Sequence, residues 1–481
     1  MSLAKAQSPA SFRDTAGFIF TSEGQLFRQV NHVGQEGYDQ LISSGLYEAL
    51  TKQGQLVPHQ EVANTEDTRA YKTIQPEKIP FISYPYEWCF SQLKDAALLT
   101  LDIQKTAIEH SMTLKDASAY NIQFCKGKPL LIDTLSFEKY VEGQLWQAYR
   151  QFCQHFLAPL ALMHYTDIHT GRLSQLWLDG IPLEIASHLL PWTTKWRFST
   201  LMHIHMHAKS QKHYERKSTK ASARHISKFQ ILSLLDNLTT TIKKLHPHRQ
   251  KTEWSDYYNR TNYSDTSLLD KKSIVEKYLH QTTPTTVWDL GGNDGFFSRT
   301  ASDQGIETIS FDIDPFAVEQ NYQQTKAKQE ASILPLVLDL TNPSPAIGWG
   351  NEERDSLTNR GPAHTLLALA IIHHLAISNN LPFEKIAHYF SQLGSNLIIE
   401  FVPKTDSKVQ YLLSSREDIF DNYTEQDFEK SFSQYFSIVE KQKVLNAERT
   451  VYLMKKLGKK AYYRHYSPMS YFGQQQHSSF H

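Results

Sequence analysis

The residues with the clearest chemical purpose lie in one stretch, Val287-Trp288-Asp289-Leu290-Gly291-Gly292-Asn293-Asp294-Gly295-Phe296-Phe297-Ser298. An apolar run of strand type enters a glycine-rich turn, and helix signals follow. Glycines at 291 and 295 admit backbone angles and a close approach that a Cβ would block. A ligand can therefore lie against main-chain NH groups of the Gly291-Gly292-Asn293 turn at a helix start. Asp289, at the strand end, is placed to accept a hydrogen bond from an amino group. The next apolar run ends Ser310-Phe311-Asp312, and the one after it ends Leu338-Asp339-Leu340. An acid about 20 residues beyond a glycine turn grips a ribose diol in dinucleotide folds, and Asp312 occupies that position. Asp339, followed by Leu340, is placed for an adenine edge. A glycine turn alone is a weak signal. Three acids at successive strand ends, in this order, specify a nucleoside-bearing ligand.

A second group of residues has the chemistry to act on whatever lies beside that ligand. A fourth apolar run ends Ile371-Ile372-His373-His374, and a fifth ends Ile399-Glu400-Phe401-Val402-Pro403-Lys404. Histidine titrates near neutrality and can take a proton from a nucleophile, so His373 and His374 are the candidate catalytic residues. Glu400 either orients a substrate or pairs with Lys404. The aromatic-rich run from Trp254 to Tyr263 precedes the glycine turn and either folds over the ligand or packs on the sheet. His203, His205 and His207 alternate, but no carboxylate or cysteine cluster accompanies them, so an ordinary helix surface is expected and no metal site.

These residues need elements to hold them. Thr286 to Leu290, Glu307 to Asp312, Leu334 to Asp339, His364 to Ile371 and Asn396 to Phe401 read as five strands, with helices at Phe316 to Lys328 and Pro382 to Leu393 between them. Alternation of this kind implies parallel pairing. Phe436 to Val444 and Arg449 to Lys455 read as a closing antiparallel pair. Upstream, Gly17 to Asn31 alternates about Ser22-Glu23-Gly24 as a hairpin. Tyr38 to Leu50 and Leu93 to His110 have helical spacing. Ile79 to Tyr84 reads as a strand, Asn121 to Phe137 as a hairpin turning at Lys126-Gly127-Lys128, and Trp146 to Leu190 as mostly helical. Ile226 to Leu245 reads as one amphipathic helix after a basic stretch, Lys209 to Lys228.

The segment from about Trp254 to Leu457 resembles a class I S-adenosylmethionine-dependent methyltransferase. The DxGxxxG turn of that family is matched by Asp289, Gly291 and Gly295, its ribose acid by Asp312 and its adenine-side acid by Asp339. The nicotinamide pattern GxGxxG is not met. The resemblance implies S-adenosylmethionine as cofactor. It also implies methyl transfer to an acceptor near His373 and His374. Together with Ser83-Tyr84-Pro85-Tyr86-Glu87-Trp88 and Leu114-Lys115-Asp116-Ala117-Ser118-Ala119-Tyr120-Asn121, the whole chain is similar to bacterial methyltransferases grouped with nodulation-type proteins.

Asp116, Asn121 and Asp133 are spaced like the catalytic loop of kinase-like phosphotransferases, where the first acid positions a hydroxyl and the other two residues hold magnesium. Leu114 stands where that family carries a histidine, and Gly17 to Asn31 has no glycine-rich phosphate loop. In the simpler reading these residues form turns.

The fold class expected is α/β: a Rossmann-like methyltransferase domain with a mostly parallel sheet, preceded by an α+β, kinase-like domain. The boundaries expected are 1–200 for the N-terminal domain, 201–250 for a basic His-rich connector and helix, 251–457 for the cofactor domain and 458–481 for a disordered tail. Lys+Arg and Asp+Glu balance at 50 each, so no global field favours nucleic acid or membrane. Three cysteines, Cys89, Cys125 and Cys153, fit no zinc or disulfide pattern, and no window is long and apolar enough to span a bilayer. A cytoplasmic enzyme with a small-molecule acceptor and no membrane partner is the expectation, with nucleic acid disfavoured but left open as a partner. The alternatives are a phosphotransferase with a regulatory C-terminal domain and a non-catalytic cofactor-binding scaffold.

Overall fold

A computed structural model describes residues 6–63, 67–206, 226–247, 265–414 and 416–458. The tail 459–481, the run 254–263, His207 and most of the basic stretch lie outside the described residues.

The alternating hairpin forms as its pattern requires. Gly17–Ser22 (β2, after the short Ala6–Gln7, β1) pairs antiparallel with Gln25–Asn31 (β3). Glu23 and Gly24 turn it with φ of 50° and 77°, the left-handed pair that a tight hairpin demands. With His59–Val62 (β4) and Ala70–Pro76 (β5) they make an antiparallel sheet of order β1-β2-β3-β5-β4. The strand expected at Ile79 to Tyr84 is absent, and β5 lies upstream of it. Pro80 removes a ladder donor there, and the Ser83 NH instead donates to Gln123 Oε1 at 2.8 Å. The helix expected over Tyr38 to Leu50 is two, Gln35–Ser43 and Leu46–Lys52, broken by Gly45 at φ 78°.

Beyond the sheet, the helix Phe90–Glu109 starts a turn earlier than its apolar spacing suggested, because the Gln92 side chain accepts from the Cys89 NH at 2.9 Å. Met112–Leu114 (β6) then pairs with Phe137–Lys139 (β9), enclosing the hairpin Ile122–Cys125 (β7) and Lys128–Leu131 (β8). Residues 149 to 206 are mostly short helical pieces, and one amphipathic helix, Lys228–Lys244, packs on Phe90–Glu109.

The C-terminal half is a seven-stranded sheet. Thr286–Leu290 (β10), Glu307–Asp312 (β11), Ile333–Val337 (β12), Ala363–Ala368 (β13) and Gly394–Phe401 (β14) run parallel. Phe436–Lys443 (β15) and Thr450–Lys456 (β16) close it antiparallel. The order is β12-β11-β10-β13-β14-β16-β15, so the sequence of strands reverses between β10 and β13, where such sheets open a crevice at their carboxyl ends.

The two halves share apolar contacts. Phe81 meets Trp288 edge-on at 5.5 Å and Phe311 at 6.1 Å. Gln92 donates to the Pro335 carbonyl of β12 at 2.9 Å, so the N-terminal half covers the edge strand that would otherwise offer free ladder groups.

Candidate cofactor site

β10 and β11 end side by side, and the glycine turn folds over the gap between them. Gly291 and Gly292 both donate their NH groups to the Phe311 carbonyl at 2.8 Å, and Gly295 donates to the Gly292 carbonyl. The Asn293 NH goes to Asp312 Oδ2 at 2.8 Å. The sequence-based expectation of outward NH groups at a helix start is therefore corrected. Three of these four donors are consumed by β11 and the fourth inside the loop, and the helix that follows, Ser298–Ser302, is only five residues long. The turn supplies shape rather than donors: Gly291 sits at φ 86°, and a Cβ there would come 2.8 Å from Ile371 Cδ1.

That shape opens a cavity of about 340 Å³ at the carboxyl ends of β10 to β13, within the range of small-ligand sites. Of the residues expected to hold a cofactor, Asp289, Gly291, Gly292, Asn293, Asp312, Asp339 and Leu340 line it. Gly295 does not; it lies behind the turn against Arg299 and Asn321. Asn293 and Ala370, both at the cavity, hold left-handed φ of 50° and 53°, a cost that proteins concentrate at ligand sites.

The acids differ in environment. Asp289 is buried, its Oδ2 2.7 Å from Ser298 Oγ. Burial pushes its carboxyl up to about 7; the Ser298 hydroxyl pulls it down, and the nearby Asp312 charge pushes it up. Asp312 is likewise raised by burial, to about 6, against the pull of the Asp314 and Asn293 NH groups. Asp339 Oδ1 accepts from the NH and hydroxyl of Thr341, while its Oδ2 lies 3.9 Å from Arg172 Nη1 of the N-terminal half.

Of the expected catalytic residues, His374 lines the cavity, but His373 and Glu400 are not among its lining. Both histidines follow β13 in a helical turn rather than ending the strand, with ring centres 4.2 Å apart. Burial holds His374 down at about 4 and His373 well below the usual imidazole range, so both rings are neutral at pH 7. The pairing of Glu400 with Lys404 is corrected: Lys404 reaches Asp418 at 2.8 Å, and the buried Glu400 is 2.7 Å from Lys271 Nζ and 3.8 Å from Arg449 Nη1. Lys271 was missed by the sequence reading. It comes from the helix Asp265–Thr282, lies over the Phe297 ring at 4.6 Å and lines the cavity. No motif announces it, since its partner is 129 residues away.

The other polar constellations close on themselves. Asp133 Oδ1 is 2.7 Å from Arg28 Nη1 and its Oδ2 accepts from Ser136, Asp116 accepts from Gln151 and Ser118, and Asn121 donates to Ser136. An arginine thus occupies the acid that would hold magnesium in a phosphotransferase. His203 and His205 are not on a helix surface, as expected, but buried. His203 lies between Tyr149 Oη and Asn237 Oδ1 at 2.6 and 2.8 Å, and His205 between Ser187 Oγ and Thr194 Oγ1 at 2.7 and 2.9 Å. Among the described residues no cluster of three or more His, Cys, Asp or Glu could hold a metal ion.

Seven strands in this order, six running parallel and only β16 reversed, with acids at the ends of the first two and just beyond the third, define the class I methyltransferase fold. The chain belongs to the family of the nodulation protein NoeA: it is 34% identical to "Nodulation protein NoeA" of Rhizobium meliloti (strain 1021) over 453 residues, 92% of this chain and 94% of that relative. No family model matches the chain. Similar solved structures include magnesium protoporphyrin IX methyltransferase (ChlM) from Synechocystis PCC 6803 with bound SAH, at 16% identity and a TM-score of 0.31, covering 42% of this chain and 91% of that one. N-methyltransferase NodS from Bradyrhizobium japonicum WM9 matches at 10% identity and a TM-score of 0.28, covering 40% of this chain and 98% of NodS. The bifunctional kinase-methyltransferase WbdD matches at 14% identity and a TM-score of 0.28, with 40% of each chain covered.

Proposed function

We propose that the chain is an S-adenosylmethionine-dependent methyltransferase of a small-molecule acceptor, whose N-terminal half, residues 1–200, restricts or recruits the acceptor for residues 251–457. The observation that carries this is the cavity lined together by Asp289, Asp312 and Asp339 beside Gly291, where a Cβ would press on Ile371 of the same lining. Asp312 would take the ribose diol, Asp289 the amino group of the amino-acid arm, and Asp339 with Leu340 the adenine. The sulfonium supplies an already activated methyl group, so the chain's part is to position the acceptor and exclude water. His374, at the cavity wall, is placed to accept the acceptor's proton, but burial holds it down at about 4, so positioning of the acceptor rather than base strength carries the step.

Calorimetric titration with S-adenosylmethionine and S-adenosylhomocysteine tests the reading. Wild type is expected to bind both. Asp312→Ala and Gly291→Arg are expected to lose about tenfold or more in affinity, about 1.4 kcal/mol. Absence of binding in protein shown to be folded would sink the proposal.

The order of loop, hairpin and acid around Asp116, Asn121 and Asp133 favours a second reading, phosphoryl transfer. The Arg28 to Asp133 contact opposes it. Titration with magnesium-ATP is expected to give no binding heat.

A further inference from the structure

Residues 183 to 206 fold into four short helical pieces, one of them Phe198–Thr200, around one buried imidazole. His205, in the π-helical turn Leu201–Met206, reaches Ser187 of the helix Leu183–Leu189 and Thr194 of the 3₁₀ turn Trp192–Trp196. Thr200 adds a hydroxyl bond to the Thr194 carbonyl. The inward residues Ala186, Leu190, Thr194 and Ile204 are buried. This hub ties Leu183–Leu189, Trp192–Trp196 and Leu201–Met206 together from the inside.

The outer faces are apolar. Trp192 is 68% exposed, Trp196 81% and Phe198 68%, with Leu189, Met202 and Met206 exposed beside them. Scattered exposed hydrophobics are ordinary, whereas a cluster of large aromatics marks an interaction site. Lys195 and Arg197 are exposed between the aromatics, and no Asp or Glu occurs from Ile185 to Met206.

Composition selects the occupant. Tryptophan has an apolar body and a polar NH, and settles at the headgroup level of a bilayer. Cations interleaved with it meet anionic headgroups. The chain continues from Met206 with seven basic residues, Lys209, Lys212, Arg216, Lys217, Lys220, Arg224 and Lys228, against one acid, Glu215. A two-fold contact with a second copy would bring two basic, acid-free surfaces together.

We propose that the face carrying Trp192, Trp196 and Phe198 docks the protein peripherally on an anionic lipid bilayer, with the aromatic side chains entering to headgroup depth. No helix among the described residues is long and apolar enough to cross a membrane, so the contact is interfacial. The expectation of no membrane partner rested on balanced total charge. Charge is balanced over the chain but not at this face.

Sedimentation of the full chain with vesicles of phosphatidylcholine, with and without about one third phosphatidylglycerol, tests this. Wild type is expected to favour anionic vesicles by about tenfold or more, to release with salt, and to show blue-shifted tryptophan emission. Trp196→Ser with Phe198→Ser is expected to lose about tenfold or more in partitioning at unchanged melting temperature. Lys195→Glu with Arg197→Glu should lose only the anionic preference. The proposal is overturned by folded wild type that binds neither vesicle or by aromatic variants that bind undiminished. A concentration-dependent dimer abolished by the same variants would instead assign the face to a second copy and also overturn it.

Discussion

At the residue scale, the cavity acids are held at the edge of ionisation. Asp289 titrates at about 7 and Asp312 at about 6, both raised by burial. In the unfolded chain each would lose its proton near pH 4. Between about pH 4 and pH 7 these two sites therefore hold more protons in the folded state, and their contribution to stability falls as pH rises. The stabilising contribution is complete below the unfolded value and lost on passing through the folded one. The acids' share is expected as a difference between proteins: Asp289→Asn should gain in melting temperature relative to wild type as pH rises from 5 to 8, while the buried His373 and His374, held below the usual imidazole range, act in the opposite sense in both. A bound amino group needs the carboxylate, so cofactor affinity should rise across the same window. Calorimetry in buffers of different ionisation enthalpy would read that as proton release.

At the element scale, the helix Asp265–Thr282 is fastened to β14 by charge rather than by apolar contact alone. Lys271 and Glu400 are buried, and Arg449 lies 2.7 Å from Asp406. Removing one member leaves a buried charge uncompensated, which costs about 3–5 kcal/mol. Lys271→Met should be destabilised by that amount in urea unfolding, and Lys271→Met with Glu400→Gln should recover much of it. A loss below about 1 kcal/mol in the single variant would show that the pair is marginal. Strand placement was legible at this scale. β10 and β11 coincide with their apolar runs, because a short run bounded by a turn and an acid has one way to sit in a parallel sheet. β5 was not legible. Its mixed sequence, Ala70 to Pro76, lacks alternation, while the apolar Ile79 to Tyr84 attracted the assignment and Pro80 excluded it.

At the scale of the whole molecule, the halves are locked by buried polar contacts. Glu87 pairs with Arg360 at 2.5 Å, both all but inaccessible, and also accepts from Ser344. Ser91 donates its NH to Glu319 at 2.9 Å, and Tyr322 reaches Asp95. The helix that carries Glu319 and Tyr322, Pro315–Lys328, begins three residues after Asp312, which ties the N-terminal half to the ribose end of the cavity. Wild type is expected to unfold in one calorimetric transition. Arg360→Met, which strands Glu87, should lower stability by about 3–5 kcal/mol and let the halves melt apart. A single unshifted transition in the variant would show that the apolar contacts alone couple them.

The sequence by itself determined where the cavity acids fall, because residues at a strand end and a glycine turn are placed by local geometry that spacing records. It also placed the pair His373-His374 beyond β13 without separating them, and only the fold brings His374 alone to the cavity. Only the tertiary structure decided that the turn spends its NH groups internally, that Glu400 belongs to Lys271, that Arg28 closes Asp133 and that Trp192 and Trp196 face outward. Each of those outcomes depends on what packs opposite, often across more than a hundred residues, as for Lys271 with Glu400 at a separation of 129 and Arg360 with Glu87 at 273. A contact between distant segments leaves no period in the chain, so only the folded packing selects it.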